Sequence, residues 1–178
     1  MTPKRDYYLK CLSISLLSLI CYWMTIFGDI VFDDTEAILK NNDVMGNTPL
    51  SGVFSNDFWG TNISDSRSHK SYRPLTVLTF RVIRILDDLI QMNFESIDDQ
   101  KSGYIYHSFN IIIYIILNIV VFNVFKTILV IFCENDLKLI KTNQRNAFLA
   151  TILFTCHPIH SEVVSLFQLT IVFELRED

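Results

Sequence analysis

Charge is absent from two long stretches of this 178-residue sequence. Residues 11–27 (CLSISLLSLICYWMTIF) and 104–125 (YIYHSFNIIIYIILNIVVFNVF) contain no Asp, Glu, Lys or Arg. With no charge in the middle of either run, a charge-lined ion or solute pathway is disfavoured. Cysteine is sparse: Cys11, Cys21, Cys133 and Cys156 all lie in or beside apolar segments, with no C-x-x-C spacing and none within 28–103. No disulfide or zinc framework is readable from that distribution. Self-similarity at a period of about 20–50 residues is also missing, which excludes a repeat array within these residues. Lys4, Arg5 and Lys10 ahead of the first run resemble the n-region of a signal peptide, yet its end, WMTIFGD, has no small-x-small cleavage site. That favours a signal anchor over a cleaved leader.

What is present is apolar surface: half of the residues are hydrophobic, mean hydropathy is +0.31, and the apolar residues come in blocks rather than amphipathic stripes. A membrane protein is expected. The first run sits at the short end of the roughly 17–25 residues that span a bilayer, and the second, closed by Lys126, is the stronger span. A third block, 147–156, is short for a crossing. Lys and Arg flank these runs at Lys4, Arg5 and Lys10 and again at Lys126, Lys138, Lys141 and Arg145. The positive-inside rule then places both flanks in the cytosol and the acidic segment between the first two runs in the lumen. The expected organisation is a cytosolic N-terminus 1–10, transmembrane helix 11–27, lumenal loop 28–103 with juxtamembrane helices, transmembrane helix 104–125, cytosolic loop 126–146, and a region 147–178 with a short third membrane segment, a His-Pro turn and a divergent C-terminus. Asn62-Ile63-Ser64 is the only N-glycosylation sequon of the loop.

Chemistry-bearing residues gather in that loop. VFDDTEA (31–37) carries three carboxylates just after the first span. Asp33 with Glu36 three residues on has the spacing of a capping box, in which carboxylates are favoured by the helix dipole. An acid pair at the membrane exit is equally placed for a general base, and the residues alone leave both readings open. The segment SHKSYRP (68–74) is basic and aromatic, and Pro74 suits a first helical turn. Beyond it Leu75, Leu78, Val82, Ile85, Leu86 and Leu89 share one face at helical period, while Arg73, Arg81 and Arg84 fall on the other. An in-plane interfacial helix is expected there, its basic face either solvated or holding a phosphate. In the second span His107, Asn110, Tyr114 and Asn118 line one face, which should point into a helix bundle. His157-Pro158-Ile159-His160-Ser161-Glu162 lacks the H-E-x-x-H spacing and reads as a turn at a membrane boundary, with metal or phosphate contact as the other reading.

Three stretches, GDIVFDDTEAI (28–38), DFWG (57–60) with SHKSYRPLTVLTFR (68–81), and HPIHSEVV (157–164), resemble in order and spacing the N-terminus of the transmembrane and tetratricopeptide-repeat (TMTC) O-mannosyltransferases. The resemblance implies an all-α membrane protein, a GT-C-like partial helix bundle with a long lumenal loop containing the interfacial amphipathic helix. It implies a multi-pass protein of the endoplasmic-reticulum membrane that takes mannose from dolichyl phosphate mannose and places it on Ser or Thr of cadherin-like acceptor proteins. Asp33 and Asp34 are the catalytic residues it carries over, and His69, Lys70, Arg73, Arg81, His157 and His160 are candidates for the donor phosphate. No metal, no further cofactor and no nucleic-acid partner is expected; membrane lipid is. This sequence departs from the family in having Tyr114 where a second histidine is usual, and in running SLFQLTIVF (165–173) where a Gly-Arg-Ala-Asp-like segment follows. An incomplete donor pocket, without autonomous transfer, is therefore the expectation. A non-catalytic membrane subunit or interaction module binding partners through its lumenal loop is the alternative.

Expressed with microsomes, the chain should show an endoglycosidase-sensitive mass shift that disappears in Asn62→Gln; a loop open to protease from the cytosolic side would overturn this topology.

Overall fold

The computed structural model describes residues 3–30, 34–93, 103–131 and 137–165. Five α-helices are present among them: α1 (Pro3–Tyr22), α2 (Pro74–Asn93), α3 (Gly103–Ile131), α4 (Leu137–Thr155) and α5 (His160–Ser165). Short 3-10 turns occupy Trp23–Phe27 and Leu50–Phe54, and one π-helical turn occupies Thr35–Leu39. No strand is found among the described residues; the nearest feature is an isolated bridge between Asn56 and Asn62. The chain forms two compact units, one of Met1–Thr25 with Ile111–Val164 and one built on Ile26–Asn110.

In the helical unit α1 packs on α4 around Ile14, Phe122 and Ala147. Its polar groups are spent between helices. Asn118 Nδ2 donates to Ser18 Oγ at 3.2 Å and its Oδ1 accepts from Thr155 Oγ1 at 3.0 Å, so one side chain of α3 binds both α1 and α4. The Tyr114 hydroxyl donates to the Thr155 carbonyl at 2.9 Å, and the Tyr22 ring meets Tyr114 edge-on at 5.0 Å. Polar groups in hydrocarbon need such partners. The expected polar face of α3 is therefore an inward one: Tyr114 and Asn118 are buried in this unit, and His107 and Asn110 are buried as well. On the opposite side Ile112, Ile116, Val120, Val124 and Ile128 are exposed at i+4 spacing. The segments Lys4–Phe27 and Gly103–Ile131 are long and apolar enough to cross a membrane, and only 17% and 22% of their most apolar windows are buried. That low burial distinguishes them from the core helices of a soluble protein. α4, 19 residues long, does not reach that hydropathy. α3 continues to Ile131 and α4 starts at Leu137, so helix extends into both ends of the interval 126–146. Cys21 and Cys156 lie with their sulfurs 3.9 Å apart, a proximity between α1 and the end of α4 that their spacing in the sequence did not reveal.

In the loop unit a core of Ala37, Ile38, Val44, Val53, Phe58, Val77, Phe80, Ile83 and Tyr106 forms without any sheet. α2 starts at Pro74 as the sequence predicts. Its expected apolar face is the exposed one, with Leu75, Val82, Ile85, Leu86 and Leu89 each between 46% and 64% accessible. The opposite side is not a solvated one. Val77, Phe80 and Ile83 make a second apolar stripe at three-residue spacing, buried to 2% or less under the loop. α2 is thus apolar on two sides, with Arg81 on a flank between them.

Candidate functional site

The loop between the π-helical turn and α2 is organised by short polar side chains that close on their own backbone. Oδ1 of Asn41, Asp57, Asn62 and Asp65 each accepts the N–H two residues on, at 2.8–3.0 Å. Such turns replace secondary structure as the partner of backbone donors. Two of the carboxylates go further. Asp57, 1% exposed, accepts from the N–H groups of Trp59 and Thr61 with Oδ1 (both 3.0 Å) and from Ser68 Oγ (2.6 Å) and the His69 N–H (3.2 Å) with Oδ2. Asp43, fully buried, accepts from the Thr48 hydroxyl and from Asn56 Nδ2, the latter at 2.9 Å to Oδ2. A buried charge is tolerable only when its lone pairs are filled in this way. Burial by itself would push the Asp57 carboxyl up, but the bonds from Ser68, Thr61, Trp59 and His69 outweigh it and hold the group below its ordinary value. On the exposed rim, Arg67 holds the Asp65 carboxyl down to about 2.

This frame sets the neighbouring side chains. Gly60 has φ +83°, and a Cβ there would lie 2.5 Å from Asn41 Oδ1, whose own amide donates to the Phe58 carbonyl at 2.9 Å. Only glycine fits. Arg73 lies over the Phe58 ring at 5.1 Å, Phe58 meets Trp59 edge-on at 5.1 Å, and the Trp59 and His69 rings are 4.9 Å apart. Arg73 and His69, both donor-phosphate candidates, are thereby brought onto one aromatic array. The other two in this unit are held differently. The Lys70 backbone sits at φ 59°, and its ammonium donates to the carbonyls of Ile63 and Asp65, the latter at 2.8 Å. Arg81 donates from one guanidinium nitrogen to the carbonyls of Asp43 (3.2 Å) and Thr48 (3.0 Å), clamping the loop onto α2. Arg84 pairs with Asp88 at 3.1 Å. Trp59 and His69 open onto a cleft of about 590 Å³ whose walls also include Glu36, Lys40, Thr61 and Arg67.

Of the acid pair, Asp33 lies outside the described residues. Asp34 is 8% exposed and has helical backbone angles (φ −65°, ψ −31°) immediately before the π-helical turn, and its side chain makes no capping bond. The expected capping box, Asp33 with Glu36, begins on a residue outside the described ones. Turns of π type inside helical segments often accompany functional positions. Asn62 is exposed at the tip of its turn. His157 and His160 belong to the helical unit. The His157 Nδ1 accepts from the Ile159 N–H at 3.2 Å within the turn that joins α4 to α5. His160 packs its ring on Phe154 at 4.4 Å and against Tyr114 at 5.6 Å. Among the described residues no three His, Cys, Asp or Glu side chains gather to hold a metal ion. Asp43 and Asp57 are the residues that sequence reasoning passed over; the signal for Asp57 is its place at the head of DFWG, with Gly two residues past the aromatic pair's start.

Two apolar helices bearing a polar interhelical seam, together with a compact polar unit, define a helical membrane protein. Human protein O-mannosyl-transferase TMTC3 is 41% identical over 145 residues, covering 82% of this chain and 13% of that protein. Mouse TMTC4 is 36% identical over 160 residues (86% of this chain, 19% of that protein), and Drosophila melanogaster Tmtc3 is 36% identical over 172 residues (92% and 17%). No protein-family profile and no solved structure matches the chain. The chain belongs to the TMTC protein O-mannosyl-transferase family, and it spans between 13% and 19% of the length of these relatives.

Asp57 supplies a pH test. Its folded-state value lies below the ordinary one, so between the two values the unfolded loop binds more protons, and the stabilisation is full above about pH 4 and lost as pH falls through the folded value. In a Trp23→Phe, His69→Gln background, which removes the imidazole beside Trp59 but keeps the N–H of residue 69, Trp59 emission should stay flat from neutral pH to about 4 and change only below it. Ser68→Ala should destabilise the loop by roughly 1–3 kcal/mol and move that change to higher pH; a transition near neutral pH in the parent would contradict the assignment.

Proposed function

We propose that this chain forms the N-terminal region of a protein O-mannosyltransferase of the endoplasmic-reticulum membrane, contributing to transfer of mannose from dolichyl phosphate mannose to Ser or Thr of cadherin-like acceptor proteins. The observation that carries the reading is a buried Asp34 on a turn of its own, a few residues beyond the first membrane-crossing segment, in a chain whose relatives bear that activity in their names. An acceptor hydroxyl is a weak nucleophile. A carboxylate of Asp33 or Asp34 takes its proton as the oxygen bonds to the anomeric carbon and the bond to the lipid phosphate breaks. The departing phosphate carries the developing charge, which Arg73 and His69, held on one aromatic array, offset in this reading. In this reading Lys70 and Arg81 shape the loop through its carbonyls, and the exposed stripe Leu75 to Leu89 lays α2 on the lumenal surface of the membrane.

The test separates base from scaffold. In cells deleted for their own TMTC enzymes, a chimera is made in which residues 1–165 replace the segment they match in human TMTC3. Asp33→Asn and Asp34→Asn are then introduced, since Asn caps a helix about as well as Asp but takes no proton at neutral pH. One of the two should lower mannose transfer by roughly 10²-fold or more with normal accumulation and insertion. Near-parental transfer by both would remove the carboxylates from the chemistry.

A further inference from the structure

A second concave site lies in the helical unit, remote in sequence from the loop. A cavity of about 320 Å³ opens where the first turns of α1 meet the later turns of α3 and the middle of α4. Lys4, Lys10, Lys126, Asp6, Tyr7 and Gln144 line it together with the Phe122 ring. Among the described residues three ammonium groups thus face one carboxylate, which is already engaged by Lys10 at 2.7 Å. Among the described residues neither Lys4 nor Lys126 has a carboxylate within ion-pair distance.

Two of the basic groups, Lys10 and Lys126, are held rather than splayed. The Lys126 ammonium sits over the Tyr7 ring, 4.9 Å from its centre. Tyr7 is fixed in turn by stacking on Phe122 at 5.9 Å and by exchanging hydrogen bonds with Asn123 at 3.1–3.2 Å. Lys4 and Lys10 both project from the charged end of the Lys4–Phe27 crossing segment, and Lys126 lies within the last turns of the Gly103–Ile131 one. This end of both segments is where a leaflet's headgroups lie, and a solvated surface lysine would need neither the aromatic seat nor the concavity. Lysine binds phosphate as a point charge, and an excess of two such charges in a cavity walled partly by rings suits a compact anion carried on an apolar tail.

We propose that this cavity binds an anionic phosphate group, that of a phospholipid headgroup in the leaflet adjoining the N-terminal end of α1. Binding there bridges α1, α3 and α4 at one membrane face, since each of the three helices contributes a lining residue.

The test is native mass spectrometry of the purified chain, released from micelles that contain phosphatidylcholine and phosphatidic acid with the same acyl chains. The chain should retain phosphatidic acid in preference to phosphatidylcholine, and Lys10→Gln with Lys126→Gln should reduce that preference by roughly tenfold or more. Gln144→Glu adds a carboxylate to the wall without removing a contact and should do the same if the double variant fails to fold. Arg5→Gln with Arg145→Gln, exposed cations of the same unit that do not line the cavity, should leave the preference unchanged. Equal retention of the two lipids, or a preference that survives both cavity variants, would overturn the proposal. Displacement of the retained lipid by inorganic phosphate at a comparable concentration would assign the site to free phosphate and overturn the lipid assignment.

Discussion

The buried carboxylate of Asp57 is the constraint on which the loop unit depends. A charge with 1% of its surface exposed must find hydrogen-bond donors or be neutralised, and here four donors from two separated stretches, 59–61 and 68–69, converge on it. That convergence closes the polar segment upon itself without a sheet. Its consequences are local and specific. The Trp59 and His69 rings are brought together because their own backbone N–H groups bind the same side chain. Gly60 takes its left-handed conformation in the turn that closes between Asp57 and Thr61, and Arg73 is drawn over Phe58, whose N–H donates to the Ser71 carbonyl at 2.7 Å. Asp43 acts in the same way within the same unit, gathering Thr48 and Asn56 beneath the Arg81 clamp.

The helical unit solves the complementary problem. Where the surroundings are apolar, burying more apolar surface gains little, and association rests on interhelical hydrogen bonds and close packing. Asn118, bonded at once to Ser18 and Thr155, and Tyr114, bonded to the Thr155 carbonyl, form that seam. The isoleucines and valines at i+4 spacing on the far side of α3 are left for lipid. One helix thus carries an inward polar face and an outward apolar face, an inversion of the pattern in a water-soluble bundle.

The elements written in local composition were legible in the sequence: the two apolar segments, the start of α2 at Pro74, and the polar stripe of α3. Features that need a partner far along the chain were not. A sequence displays Asp57 and Asp43 as two acids among nineteen Asp and Glu residues and cannot show that their donors come from elsewhere in the fold. The pairing of Cys21 with Cys156 across 135 positions is hidden for the same reason. For α2 the periodicity was real but incomplete. Leu75 to Leu89 satisfied one apolar face so well that Val77, Phe80 and Ile83 went unread as a second, which only the loop packed upon it makes visible. That Lys70 and Arg81 bind backbone carbonyls of the loop is visible only in the fold.

Backbone hydrogen exchange of the chain in micelles tests the central claim, that one buried carboxylate organises the loop unit. The amides of Trp59, Thr61 and His69 should exchange slowly in the parent, and in Asp57→Ala all three should lose protection together, with those of α1 unaffected. Rapid exchange at these amides in the parent, or loss in Asp57→Ala confined to Trp59 and Thr61 while His69 stays protected, would contradict the account.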